Sequence, residues 1–327
     1  MINEHHVIEL AKKYFRENNK NIIKGIGDDT AVLLNTGKYM LFTSDMLIDK
    51  THFLLDKIFP YDLGWKALVV NISDIAGMGG SPEYAVLSIG LTKETNYSWL
   101  ENFYLGLSDC ANTYQLSIVG GDTILSDSNL VINIALTGSC NKPIYRNNIK
   151  SDYILTSTGF LGLSALGLDL ILNKKEPFNE NEQYFINKHY KPIPRIKEGL
   201  FFSENIKDFA MMDSSDGLYT SLKTMCEQTN LGFEIYKEDY LICNKLQEQA
   251  NLSKKSYWDF FIYGGEDYEL IVAMSEKDFF NIKDKYKTIF NSNLEIIGKF
   301  NNINNNISLK EKESSLILTD KSFHHFS

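Results

Sequence analysis

Residues 62–80 read D-L-G-W-K-A-L-V-V-N-I-S-D-I-A-G-M-G-G. Leu63, Ala67, Val70 and Asp74 fall at helical spacing, and Gly79-Gly80 supplies a helix stop, so the stretch predicts a helix over 62–78. Asn71 and Asp74 are three apart and share a face of it. An aspartate at the edge of an apolar segment recurs in G-I-G-D-D-T-A (25–31), T-S-D (43–45), G-G-D-T (120–123) and D-S-S-D-G-L (213–218). These clusters carry Asp28, Asp29, Asp45, Asp74, Asp122, Asp213 and Asp216. Converging carboxylates repel each other and are costly to desolvate, so either they stay apart or cations hold them together. Hard oxygen ligands of this kind suit magnesium, which binds through carboxylates together with substrate phosphates. Turn and cap chemistry explains most aspartates taken singly. The constellation says more, because three expected strands deliver an aspartate at their ends: Asp45, Asp122 and Asp213.

Outward from this helix the pattern is mixed. An amphipathic helix is expected over 4–17, and strands over 31–34, 39–43, 83–91, 116–119 and 131–137, with a helix over 95–114. Pro143, Asn147, Asn148 and Asp152 mark a boundary near 141–152. A second unit follows: a strand over 153–158, a turn at Gly159–Gly162, a helix through Leu172, a proline-bearing connector over 173–195 with a helix near 180–189, and a strand over 209–212. The boundary divides the chain into two expected domains, 1–142 and 143–327.

At 327 residues the chain is long enough for two sizeable cores. Its net charge of -9 argues against a nucleic-acid partner and against an anionic membrane surface. The four cysteines lack CxxC spacing and suit a reducing compartment. Met1–Leu10 has no apolar signal core, and no stretch has the length of a membrane span, so a cytoplasmic protein is expected. Common phosphate-binding signatures are absent: there is no G-x-x-x-x-G-K-[ST], no H-R-D with D-F-G, and G-I-G-D-D-T lacks the last glycine of a dinucleotide fingerprint.

Seven ordered motifs carry a resemblance: G-I-G-D-D-T-A, T-S-D-M-L-I-D-K-T-H-F, K-A-L-V-V-N-I-S-D-I-A-G-M-G, G-G-D-T, D-S-S-D-G-L, G-G-E-D-Y-E-L and the terminal F-H-H-F. In this order, from residue 25 to 326, they resemble the thiamine-monophosphate kinase family of the aminoimidazole-ribonucleotide-synthetase-like superfamily. The resemblance implies an α+β fold in which an N-terminal domain, 1–142, binds ATP and metal and pairs its sheet across a homodimer, and a C-terminal domain, 143–327, completes the nucleotide and substrate site, with ATP and several Mg2+ ions in the cleft. It implies Asp28, Asp29, Thr43, Ser44, Asp45, Asp74, Asp122, Asp213 and Asp216 around the metals. Gly121, Asp122, Arg146 and Ser215 would contact ATP, and His52, Glu266 and Phe323 the thiamine monophosphate. The implied reaction is direct phosphoryl transfer to a substrate phosphate without a general base. His189, Pro192, Pro194 and Arg195 also match and read as structural. Aminoimidazole ribonucleotide synthetase is the nearest alternative enzyme, disfavoured by T-H-F at 51–53 and G-G-E-D-Y-E-L at 264–270. A selenophosphate synthetase would place a reactive cysteine near the N-terminus, where the first cysteine here is Cys110, and the hydrogenase-maturation relative would end in a cysteine. A non-catalytic nucleotide or metal sensor is the alternative of another class.

Overall fold

The computed structural model describes residues 22–24, 28–35, 38–174, 176–237, 243–303 and 305–323. The helix expected over 4–17, Gly25–Gly27 and His324–Phe326 lie outside these residues. The fold is α+β, with nine helices and two mixed sheets among the described residues.

The first sheet comprises β1 (Ile22–Lys24), β2 (Ala31–Asn35), β3 (Lys38–Ile48), β4 (Ser81–Leu91), β5 (Ser117–Leu125) and β6 (Val131–Cys140), in the order β1-β2-β3-β6-β4-β5. Its pairs are antiparallel except β4 with β5. Helices α1 (Pro60–Gly77) and α2 (Tyr97–Thr113) accompany it. α1 lies against β3, β6 and β4 and also touches the second half, at β8 (Ala210–Asp213) and α5 (Ile196–Asn205). Covered on nearly every side, α1 is buried from Leu63 to Gly77 except at Asp74. Its crossing with α2 is close: a Cβ on Gly64 would stand 2.1 Å from Phe103 O, and one on Gly106 1.9 Å from Tyr61 O. Only glycine leaves the backbones room to meet there.

Alternation along the strands sorts the two faces of this sheet. Leu41, Leu47, Leu87, Ile89, Ile132, Ile134 and Leu136 join the core beneath the helices. Phe42, Met46, Tyr84 and Val86 are exposed on the opposite face. β5 is exposed along its whole length at the sheet edge.

The second sheet has the order β13-β12-β9-β11-β7-β10-β8, formed by β7 (Ile154–Ser157), β8, β9 (Gly232–Tyr236), β10 (Leu270–Met274), β11 (Ile296–Asn301), β12 (Ile307–Glu311) and β13 (Ser314–Ile317). Its central strands are apolar in continuous runs because both faces are covered. Met212, Ile271 and Ala273 enter one core cluster, and Met211, Leu270 and Val272 the other. The remaining helices are α3 (Leu163–Asn173), α4 (Glu180–Tyr190), α6 (Leu218–Thr229), α7 (Asn244–Leu252), α8 (Tyr257–Tyr263) and α9 (Glu276–Phe290). The connector after α4 is anchored by Trp65 Nε1, which donates to Pro192 O at 3.0 Å. No helix among the described residues is long and apolar enough to cross a membrane.

Two strand ends differ from expectation. β3 continues past Thr43 to Ile48, and β5 continues past Val119 to Leu125, so Asp45 and Asp122 lie within strands; only Asp213 ends one. The ladders of β3 with β6 and of β4 with β5 supply backbone partners through Ser44-Asp45 and Gly120-Gly121-Asp122. This tertiary pairing overrides the poor strand preference of those residues. α5 was not expected from the sequence.

Candidate active site

α1 is the spine of the acidic site. Lys66, Val70, Ser73 and Gly77 fall on one face by spacing, with Asn71 and Asp74 beside them. Each buried polar group of this row has a partner. Asn71 Oδ1 accepts from Asp45 N at 3.0 Å, which draws β3 to the helix. Thr43 Oγ1 donates to Asp74 Oδ2. Ser73 Oγ donates to Asp213 Oδ2 at 2.7 Å, reaching the end of β8 in the second half. Gly77 gives space: a Cβ there would stand 2.5 Å from Asp29 Oδ2 and 3.1 Å from Asp213 N.

Asp29, Asp45, Asp74 and Asp213 thus come together from four separate segments, three in the first half of the chain and one in the second, with Asp74 on α1 itself. Burial and mutual repulsion push their carboxyls up. Asp213 is raised to about 7, first by burial and then by Asp45 and Asp216, against the pull of Ser73 and Arg146. Asp45 is raised to about 6 by burial and by Asp216. Burial raises Asp29 and Asp74 well above the usual carboxylate range, with Asp213 adding to both. Arg146 meets the N-terminal pair, Nε to Asp28 Oδ1 at 3.1 Å and a second nitrogen to Asp29 Oδ1. Asp28 Oδ2 and Asp29 Oδ2 remain buried with no hydrogen-bond partner. Carboxylate oxygens without a hydrogen-bond donor, that of Asp28 facing only Lys24 Nζ at 3.9 Å, fit a cation site, since a divalent ion would replace the protons that otherwise relieve the repulsion. Among the described residues, no three Asp, Glu, His or Cys side chains enclose an ion by themselves.

The loops around this cluster are laced together. Ser214 N donates to Glu269 O at 2.8 Å, Tyr268 N to Ser214 O at 3.2 Å and Glu266 N to Ser215 O at 2.5 Å. Asp267 accepts from Gly162 N and from Ser164 N at the start of α3. Asp216 is exposed beside Asp45 and Asp213 and contributes charge to both.

Other expected residues stand elsewhere. Period-two alternation places Thr43 and Asp45 on the helix-covered face and sends Ser44 to the open face, where Asn133 Nδ2 donates to Ser44 Oγ at 3.0 Å. Asp122 pairs in register with exposed Ser88 and shares that open face. β5 is three strands from β3, about 14 Å at the usual strand spacing. Within one chain, therefore, Gly121, Asp122 and Ser44 do not join the buried carboxylates. His52 is half-buried; its Nδ1 accepts from Ile48 N at 3.1 Å, which places the proton of the neutral ring on Nε2. Burial would raise the Glu266 carboxyl, but the Lys66 ammonium holds it below the usual range. Phe323 is 71% exposed.

Ser73, Asn71, Lys66 and His189 were not among the expected site residues. For Lys66, Asn71 and Ser73 the signal was present in the sequence, as polar residues at helical spacing inside a helix too apolar to face water; His189 lies in the polar helix α4 and read as structural.

Residues 27–140 match the family model for the N-terminal domain of AIR synthase related proteins. A thiamine-monophosphate kinase of Buchnera aphidicola (subsp. Acyrthosiphon pisum) is 35% identical, covering 97% of this chain and 98% of its own. The enzyme of that name in Bacillus subtilis is 31% identical over 92% of this chain and 93% of its own. Among solved structures, that of AaThiL complexed with AMPPCP and TMP superposes with a TM-score of 0.83 at 27% identity, covering 96% of each chain. Similarity of this extent, covering nearly the whole of both chains, means that the chain belongs to the thiamine-monophosphate kinase family.

Proposed function

We propose that this chain transfers the γ-phosphoryl group of ATP to thiamine monophosphate, giving ADP and thiamine diphosphate. The observation that carries the reading is the meeting of Asp29, Asp45, Asp74 and Asp213 at α1. The related structure holding both AMPPCP and TMP supports the two substrates.

The nucleophile is a phosphate oxygen of the acceptor. Its second pKa is about 6, so it is already ionised at neutral pH and needs no general base. The obstacle is the approach of one polyanion to another. Asp29, Asp45, Asp74 and Asp213 would hold magnesium, with Asp28, Thr43 and Asp216 beside them. Magnesium, when bound, neutralises and orients phosphate oxygens for in-line displacement. The protein's contribution is positioning: Asn71 and Ser73 orient Asp45 and Asp213, and Thr43 orients Asp74. Arg146 and Ser215 are assigned to the nucleotide, His52 and Glu266 to the acceptor, and Phe323 to the thiazolium face.

We also assign the working unit to a homodimer formed through the open face of the first sheet. Phe42, Met46, Tyr84, Val86, Ile124 and Leu125 leave that face and its edge apolar and exposed, which favours burial against a second copy. Ser44 lies on this face, and Gly121 and Asp122 on the edge strand. In this reading Asp122 of the partner subunit completes the metal and nucleotide contacts. Division of the chain at 142/143 follows the two sheets, and four unpaired thiols support a reducing, cytoplasmic setting.

Turnover of thiamine monophosphate with ATP and magnesium tests the activity. ATP binding without turnover would favour a sensor and overturn it. Inversion at a chiral γ-phosphorus is expected for direct transfer, and retention would exclude it.

A further inference from the structure

Lys66 lies in the middle of α1 with 1% of its side chain exposed. A buried ammonium is costly unless it is paired. Its partner comes from the other half of the chain: Nζ stands 3.2 Å from Glu266 Oε2. The same oxygen is 3.3 Å from His189 Nδ1, which also meets Ser164 Oγ at 3.0 Å. Both contacts fall on Oε2, and 25% of the Glu266 side chain stays accessible, so the carboxylate reaches from a buried clamp toward open space.

The backbone of this loop is unusual as well. Glu266 has φ 63 and Tyr268 φ 52, both left-handed and both outside glycine. Such residues persist where the surroundings over-determine them. Here the surroundings include the hydrogen bonds to Ser214 and Ser215 and the Lys66 contact. Lys66 also shares its helix face with Ser73, so one rigid element sets both the Asp213 carboxylate and the Glu266 carboxylate.

We propose that Lys66 is a positioning residue for the acceptor end of the site, fixing the Glu266 carboxylate across the junction of the two halves so that it meets the cationic heterocycle of the acceptor. This rests on the activity assigned above. Lys66 itself touches neither substrate; it acts through Glu266, and a neutral residue of similar volume would leave that carboxylate without its anchor.

Steady-state kinetics of the full chain with thiamine monophosphate and ATP, together with thermal melts, test it. Lys66→Met is expected to raise KM for the acceptor about tenfold, equivalent to about 1.4 kcal/mol, while KM for ATP stays within about twofold. Lys66→Arg keeps the charge but moves it, and is expected to raise the acceptor KM roughly threefold with kcat retained. In a Glu266→Gln background, Lys66→Met should add less than about twofold, since the pair acts as a unit. An unchanged acceptor KM in both Lys66 variants, equal changes in both KM values, or additivity with Glu266→Gln would overturn the proposal. If Lys66→Met does not fold, Lys66→Arg decides by the same criteria. Absence of turnover in the wild-type chain would instead overturn the assigned activity, and this inference with it.

Discussion

Ser73 Oγ donates to Asp213 Oδ2 at 2.7 Å, linking a helix of the first half to the end of a strand of the second, 140 residues away. Neither side chain has an exposed alternative: Ser73 is 0% exposed and Asp213 2%. The contact therefore couples packing of the two halves to the geometry of the acidic site. Ser73→Ala removes a hydrogen bond to a buried carboxyl group, at a cost of about 1–3 kcal/mol. Denaturant unfolding should show that loss, and calorimetry should show weaker magnesium binding.

Asp213 supplies a pH prediction. Its folded-state pKa is raised from 3.8 to about 7 by burial. The folded chain then binds more protons than the unfolded chain between these values, so the stability linked to this group is present below pH 3.8 and is lost as pH rises through 7. Asp213→Asn stands in for the protonated form. In the absence of divalent ions it should stabilise the protein at pH 8, by about 1.4 kcal/mol for each pK unit of the shift. Thermal melts at pH 5 and pH 8 check this, with the gain larger at the higher pH and turnover lost at both.

His189 titrates in the opposite sense. Burial and Lys66 hold it down at about 3, so the imidazole is neutral in the folded chain. The unfolded ring takes up a proton near 6.5, and stability falls as pH drops below that value. His189→Gln should flatten this part of the pH–stability curve between about pH 6.5 and 4. An unchanged slope would show that another group carries it.

Gly77→Ala would normally favour a helix by roughly 0.5–1 kcal/mol. Here the added Cβ meets Asp29 Oδ2 at 2.5 Å. The variant should keep its helical circular dichroism and lose magnesium affinity, by about tenfold or more, as Asp29 is pushed aside.

The dimer reading predicts complementation between inactive variants. Asp45→Ala and Asp122→Ala should each abolish turnover. If Asp122 acts on the partner's site, a mixed dimer retains one intact site of its two. Random mixing should restore about a quarter of wild-type activity. No recovery after confirmed subunit exchange would place both residues in one chain's site.

Local pattern made much of the fold legible. The period of residues 62–78 and the Gly79-Gly80 stop predict a helix observed at Pro60–Gly77, and the turn at Gly159–Gly162 leads into α3 as expected. The extent of β3 and β5 was not legible, because Ser44-Asp45 and Gly120-Gly121-Asp122 have little strand preference of their own. Pairing with β6 and β4 extends both strands. Lys66 in an apolar helix signalled a buried partner, but nothing local pointed to Glu266, 200 residues further on.

Residue types and their order alone pointed to an α+β chain, acidic segments in both halves and family kinship, and raised the expectation of hard cations. Those are properties of local pattern and donor chemistry. Which acids meet is a matter of direction in space. One step along β3 turns Ser44 away from Asp45, two intervening strands separate Asp122 from both, and a single buried helix gathers Asp29, Asp74 and Asp213. Side-chain alternation and sheet order set those directions, and both arise only when distant strands pair.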